Sequence, residues 1–266
     1  VRDDRQSRLI ARVLTIAGSD SGGGAGIEAD IKTISALGGF ACTAITAVTA
    51  QNTLGVFGVQ PMPADFVKLS IETVIGDIGV DAIKLGMLAN AGIITAVAGA
   101  VPRDVPLVLD PVMVATSGAV LLPDDAIAAM IKFLLPAASI VTPNLPEAAK
   151  LTGMVLENAD DYVAAGQALL AMGAKAALIK GGHAAGDMLV DTLVHQSGVE
   201  RFSHPRIHTK HTHGTGCTLA SAIATGLAQG MSLADAIARA EAYLQKAIAA
   251  APGFGAGHGP VWHGVS

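Results

Sequence analysis

Short, continuous apolar runs alternate with longer stretches of helical period along almost the whole chain. The run 12–18 (RVLTIAG) predicts a strand, and 25–39 (AGIEADIKTISALGG) predicts a helix. Ile27, Ile31, Ile34 and Leu37 share one face of that helix, and Gly38 is a natural stop. The β-branched segment 40–51 returns to strand, 63–77 opens a helix on a proline, and 81–88 is strand again. Helices at 90–100, 123–135, 145–153 and 159–172 then alternate with strands at 106–112, 138–144 and 175–182. Residues 188–210 break the rhythm. Two strands around Gln196-Ser197-Gly198 predict a hairpin there, not another crossover. Two Ala-rich helices, 215–229 and 233–250, precede a glycine-rich tail.

Strands that are apolar throughout, not alternately, are expected to be buried on both faces. Repeated β-α-β units predict an α/β fold: a doubly wound, mostly parallel sheet with helices on both faces and an antiparallel hairpin near 188–210. No linker composition and no repeat interrupts the pattern. Residues 1–10 read as a disordered tail and 11–266 as a single domain. Ligands of such a sheet bind at the carboxyl ends of its strands. The places to inspect are therefore after Ala17, Ala50, Leu85, Leu109 and Val141, and the loop before residue 215.

Composition narrows the function classes. Aromatics make up only 3% against an apolar share of 51%, so the core must be Ala, Val, Ile and Leu packed closely around 31 glycines. A net charge of −5 gives no basic field and argues against nucleic acid or an anionic membrane surface as partner. The two cysteines, Cys42 and Cys217, form no disulfide framework and fit a reducing cytoplasm. No apolar run approaches the roughly 18 residues of a spanning helix, and the charged opening segment carries no apolar signal core.

The polar residues at the strand ends carry the chemistry. In 18–30 (GSDSGGGAGIEAD), Gly18 and Gly23 have Walker-loop spacing, but Gly24 stands where the lysine is required. Gly24, Gly26 and Ala29 match a dinucleotide fingerprint, yet no acid occurs between Phe40 and Gln51 to hold a ribose. Asp20 and Asp30 exceed what a turn alone needs. Gln51 offers a donor and an acceptor together, which suits the edge of a planar heterocycle. Gly86 permits close backbone approach, and Met87 is core or pocket wall. Asp110 ends a strand just before a proline. Asn144 and Glu147 are three apart at a helix start, where they either form a capping box or serve Mg²⁺ and phosphate.

The stretch 210–218 (KHTHGTGCT) allows three readings. His208, His211, His213 and Cys217 are zinc-ligand types, but their spacing matches no common framework. Cys217 beside His213 suggests a cysteine hydrolase, although such pairs usually come from distant positions. The third reading starts from Gly214 and Gly216: backbone amides of 214–217, at the positive end of a helix dipole, make an anion site. That dipole would lower the pKa of the Cys217 thiol.

Taken in order, TIAGSDSGGGAGIEADIKT, AVTAQNT, KLGML, LDPVMVATSG, LLPAASIVTPNLPEA, KGGH, HTHGTGCT and GHGPV resemble the hydroxymethylpyrimidine/phosphomethylpyrimidine kinases of thiamine biosynthesis, in the ribokinase-like superfamily. The resemblance runs from about residue 12 to 262. It implies phosphoryl transfer from MgATP to 4-amino-5-hydroxymethyl-2-methylpyrimidine and then to its monophosphate, in a homodimer. Residue by residue, it implies that Asp30 and Gln51 hydrogen-bond the aminopyrimidine, with Gly18 and Met87 enclosing it. Asp110, Asn144 and Glu147 would order Mg²⁺ and the ATP phosphates, Asp110 and Glu147 as metal ligands. Lys180, Thr209, Gly181 and Gly182 would lie along the nucleotide. Gly214, Thr215, Gly216 and Cys217 would form the anion hole, with Cys217 standing where sugar-kinase relatives place an aspartate base. Thr116, Glu28 and His211 depart from the residues often found in this family. Pyridoxal kinase of the same superfamily is the alternative reading, and a zinc or cysteine hydrolase the remote one.

Overall fold

The structure is a computed structural model that describes residues 10–115, 118–183 and 186–265. Residues 1–9 of the expected tail, and Thr116, lie outside the described residues. Nine strands form one sheet in the order β3-β2-β1-β4-β5-β6-β7-β8-β9. They are β1 (Arg12–Asp20), β2 (Phe40–Asn52), β3 (Gly55–Pro61), β4 (Ala82–Leu85), β5 (Leu107–Leu109), β6 (Ile140–Val141), β7 (Ala176–Ile179), β8 (Met188–His195) and β9 (Gly198–Pro205). The strands from β2 through β1 to β7 pair in parallel; β3, β8 and β9 are antiparallel to their neighbours. The doubly wound sheet and the hairpin at 188–210 are as expected. The winding reverses at β1, which lies between β2 and β4, and such a switch point opens a crevice at the strand ends.

Helices α2 (Ala64–Asp77), α3 (Ala91–Ala100), α4 (Asp124–Phe133), α5 (Leu145–Thr152) and α6 (Ala159–Ala171) lie on one side. They close over Leu14, Ile16, Ile83, Leu85, Leu107 and Leu109. On the other side, α1 (Gly26–Ala36), α7 (Thr215–Ala228) and α8 (Leu233–Ala249) cover Val13, Val108, Ile140, Leu178 and Leu193. With few aromatics, this side packs through small residues: a Cβ built on Gly226 would sit 2.7 Å from Ala236 Cβ. Among the described residues no helix is long and apolar enough to cross a membrane.

Two differences from the sequence expectation have physical causes. β3 has no apolar run because it is an edge strand, mostly exposed on both faces. β5 and β6 are shorter than the predicted 106–112 and 138–144. Pro111 and Pro143 have no N–H for a ladder, and the chain leaves the sheet at Asp110 and Thr142.

At the switch point a fully buried ion pair ties both layers together. Lys84 Nζ on β4 lies 2.8 and 2.9 Å from the two carboxylate oxygens of Asp30 on α1. Thr15 of β1 donates to one of those oxygens, and Ser221 of α7 donates to the other at 2.7 Å. Removing one partner of such a pair strands the other charge. Lys84→Met should therefore destabilise the fold by about 3–5 kcal/mol in urea unfolding. Lys84→Met with Asp30→Asn should lose less than the two single variants combined; strictly additive losses would show that the pair is not coupled.

Candidate active site

A cavity of about 880 Å³ runs along the carboxyl ends of the strands, from β2 and β1 across to the β8–β9 hairpin and α8. Its first end is shaped by the loop after β1. Asp20 accepts from the amides of Gly22, Gly24 and Ala25 at 2.8, 3.0 and 2.9 Å, and lies 2.8 Å from His213 Nε2. Burial works against its charge, but His213, Gln51 and the loop amides more than offset this and hold its pKa down to about 2. Glu28 braces the same loop, accepting from Ser19 Oγ at 2.6 Å and from the Asp20 amide at 2.7 Å. Asp20 and Glu28 are thus structural. The wall they leave to a ligand is Gly18, Gln51 and Met87. A Cβ on Gly18 would stand 2.6 Å from Met87 Cε, so a side chain there would push the methionine out of its present place in the wall.

At the cavity centre α7 begins. Gly214 has φ 88°, and a Cβ there would overlap the Gly24 carbonyl oxygen at 1.8 Å. The strain-free turn it allows presents Thr215, Gly216 and Cys217 to the cavity, with first-turn amides that no preceding helical carbonyl satisfies. A Cβ on Gly216 would lie 3.4 Å from Lys180 Nζ and 3.7 Å from Asp110 Oδ2. The anion-binding turn and the charged cluster therefore face each other.

That cluster is Asp110, Glu147 and Lys180. Lys180 Nζ is 3.3 Å from Asp110 Oδ1. Burial disfavours the Lys180 charge, yet Asp110 and Glu147 more than compensate and raise its pKa above the ordinary value. For Asn144 and Glu147 the capping account holds: Asn144 Oδ1 accepts from the Glu147 amide at 2.9 Å, and Glu147 Oε2 from the Asn144 amide at 2.8 Å. Both still line the cavity. Burial pushes the Glu147 carboxyl up to about 7, with Lys180 pulling the other way and Asp110 adding to the rise. Two hard oxygen donors whose repulsion Lys180 offsets only in part fit a divalent cation such as Mg²⁺. Thr209 and Gly182 lie farther along the same wall.

Three expectations are corrected. Asp30 is not on the cavity wall: it is fully buried, and its oxygens are taken by Lys84, Thr15 and Ser221. Gly181 turns away from the cavity, giving its amide to Asp191 Oδ1 at 2.7 Å and packing so tightly that a Cβ would meet Val190 O at 2.1 Å. The Cys217 thiol is not acidified by the helix dipole. Burial, with Asp30 and Asp110 adding to it and Lys84 opposing, pushes its pKa up to about 12. The zinc reading also finds no support, since His208, His211, His213 and Cys217 do not converge on one point among the described residues. His213 instead serves Asp20, and His208 lies 3.2 Å from Asp187.

Lys84 escaped sequence reasoning, although a lone lysine inside the apolar strand 82–85 was the available signal. His263 was also missed. It is buried 2.9 Å from Thr218 Oγ1, whose hydroxyl donates to Gly214 O, and burial lowers its pKa to about 4. This neutral imidazole anchors the tail beneath the start of α7.

With this geometry in view, the model of the phosphomethylpyrimidine kinase family matches residues 20–262. The hydroxymethylpyrimidine/phosphomethylpyrimidine kinase of Streptomyces coelicolor is 49% identical, covering 95% of this chain and 94% of that protein. The thiamine biosynthesis bifunctional protein ThiED of Geobacter sulfurreducens is also 49% identical over 94% of this chain, which spans 52% of that longer protein. Among solved structures, an ADP complex of Bacillus subtilis pyridoxal kinase superposes with a TM-score of 0.89 at 35% identity, covering 96% of this chain and 97% of that one.

The raised Cys217 pKa has a direct chemical consequence, because only the thiolate reacts with alkylating agents. Iodoacetamide labelling, followed by peptide mass spectrometry, should be slower at Cys217 than in a free thiol and still accelerating above about pH 10. A rate that levels off below about pH 8 would reveal a stabilised thiolate instead.

Proposed function

We propose that this chain, which belongs to the phosphomethylpyrimidine kinase family, transfers the γ-phosphoryl group of ATP to the hydroxymethyl group of 4-amino-5-hydroxymethyl-2-methylpyrimidine. The same site then phosphorylates the monophosphate to the diphosphate used in thiamine biosynthesis. The observation that carries this reading is the alignment within one cavity of a closed heterocycle-sized end, a glycine-headed helix start, and the Asp110–Glu147–Lys180 cluster opposite it. Relatives of that name at 49% identity support the substrate, and a neighbour solved with ADP supports the nucleotide.

In this mechanism Gln51 reads the aminopyrimidine edge while Gly18 and Met87 enclose its ring. Lys180 keeps its positive charge against the phosphates, and the Gly216 and Cys217 amides receive the oxygens of the transferring group. Asp110 and Glu147 would hold Mg²⁺, which would supply neutralisation and orientation of the phosphate oxygens. Phosphoryl transfer of this kind depends mainly on positioning and charge stabilisation. Asn144 fixes Glu147 through the capping box, and Thr209 and Gly182 border the nucleotide.

Cys217 touches the reacting hydroxyl and accepts its proton in the first step. With its pKa pushed up to about 12, the thiolate is a minor species at neutral pH, and its fraction rises about tenfold per pH unit. The second step needs no such base, since a phosphate monoester oxygen is already ionised. An ADP-release assay with Mg²⁺ should show turnover of both pyrimidines, the first step accelerating through pH 9 and beyond. Cys217→Ala should reduce the first step by about 10²-fold or more and the second much less. Equal losses would show that the thiol is no base, and absence of turnover with either pyrimidine would overturn the assignment. Pyridoxal, suggested by the pyridoxal kinase neighbour, belongs in the same assay as a second substrate.

We also infer a cytoplasmic homodimer. The β2–β3 edge exposes Val48, Leu54, Phe57 and Val59, with Phe57 71% exposed, and an apolar edge of this kind needs a cover. Phe57→Asp should move the protein from dimer to monomer in sedimentation analysis; an unchanged dimer would place the interface elsewhere.

A further inference from the structure

At its far end the cavity is closed by residues to which the proposed mechanism assigns no part. Asp191 on β8 and His204 on β9 project from the same sheet face: His204 is paired with Leu189, two residues before Asp191. α8 packs over this face and brings in Glu241. The ligand-type atoms of Asp191, His204 and Glu241 all lie within 4.8 Å of one another.

Their hydrogen bonding is incomplete. Asp191 is supported by the Gly181 amide at 2.7 Å. Glu241 is only 6% exposed, and apart from a contact with the Asp191 carboxyl its oxygens find no hydrogen-bond partner among the described residues. His204 Nε2 approaches Oε2 to 3.2 Å without completing a bond. Burial and the adjacent Asp191 carboxylate push the Glu241 carboxyl up to about 10. Lys180 opposes that rise, but its charge is already shared with Asp110 and Glu147. Two buried carboxyls beside one imidazole can both ionise only when a cation joins them.

We propose that Asp191, His204 and Glu241 form a second divalent-cation site, distinct from Asp110 and Glu147, for a first-row transition cation such as Zn²⁺. One imidazole nitrogen with two carboxylates is a donor set such ions accept, leaving a fourth position for water. The three donor atoms, within 4.8 Å of one another, stand near the roughly 3.3 Å separation of a tetrahedral zinc shell. An outer partner is in place as well. Gln245 Nε2 lies 2.8 Å from His204 Nδ1, and turning that amide over puts its oxygen there instead. Nδ1–H then donates to Gln245, and the Nε2 lone pair faces the carboxylates. A bound ion would fasten the β8–β9 hairpin to α8.

The test uses the intact, metal-stripped protein without nucleotide. Zn²⁺ is titrated against a chromophoric chelator, and melting is followed with and without the ion. Wild type should take up an equivalent that raises its melting temperature. Glu241→Gln and His204→Ala should each weaken that uptake at least about tenfold and abolish the thermal shift. Cys217→Ser, Asp110→Asn and His208→Ala should retain both. Glu241→Gln matches the shape of the neutral carboxyl and should fold, which circular dichroism verifies. The proposal fails if wild type takes up no Zn²⁺, if Glu241→Gln and His204→Ala bind as wild type does, or if Cys217→Ser alone removes binding.

Discussion

The buried contact between Lys84 and Asp30 is the constraint on which the rest of the structure depends. It sits where the winding of the sheet reverses, and its hydrogen bonds reach β1 through Thr15, α1 through Asp30 and α7 through Ser221. Fixing α7 relative to β4 sets where the first turn of that helix meets the cavity. Gly86 shows how closely the site is built on this contact, since a Cβ there would lie 2.9 Å from Lys84 Nζ. A buried ion pair is weak evidence for stability in itself. Here its geometric role is plain, because four elements share one carboxylate.

The same pair tunes the chemistry above it. Lys84, with help from the Gly26 amide, draws the Cys217 pKa down against burial, Asp30 and Asp110. Across the cavity, Lys180 plays the corresponding part for Asp110 and Glu147. Two lysines, one under the site and one within it, thus set the charge balance of the whole strand-end crevice. The helix dipole, which dominates when the sequence is read alone, is outweighed by desolvation at Cys217.

Much of this was legible in the chain. Continuous apolar runs and turn residues placed all but one strand and every α-helix of the described residues, because burial on both faces leaves a strong pattern. β3 left none, being exposed at the edge. Strand ends located Gly18, Gln51, Met87, Asp110, Asn144 and Glu147 around one cavity, and the family resemblance added Lys180. Asp30 and Gly181 were misplaced for a shared reason: motif position fixes a residue near a site, but which way it faces depends on long-range partners. Lys84 lies 54 residues from Asp30, and Val190 and Asp191 reach Gly181 only through the hairpin.

The carboxylates along this one sheet end form a graded series. Asp20, with three amides, an imidazole and an amide side chain as partners, is held near 2. Glu147, with its cap amides and part of a lysine, rises to about 7. Glu241, with no amide donor and a second carboxyl, Asp191, against it, rises to about 10. All three are largely buried, so partner supply, and not depth, orders them. A carboxylate saturated by its own chain is scaffold, as Asp20 is. One left short of partners either keeps a proton or waits for a cation, and that separates the groups available to ligands from those that only build the site.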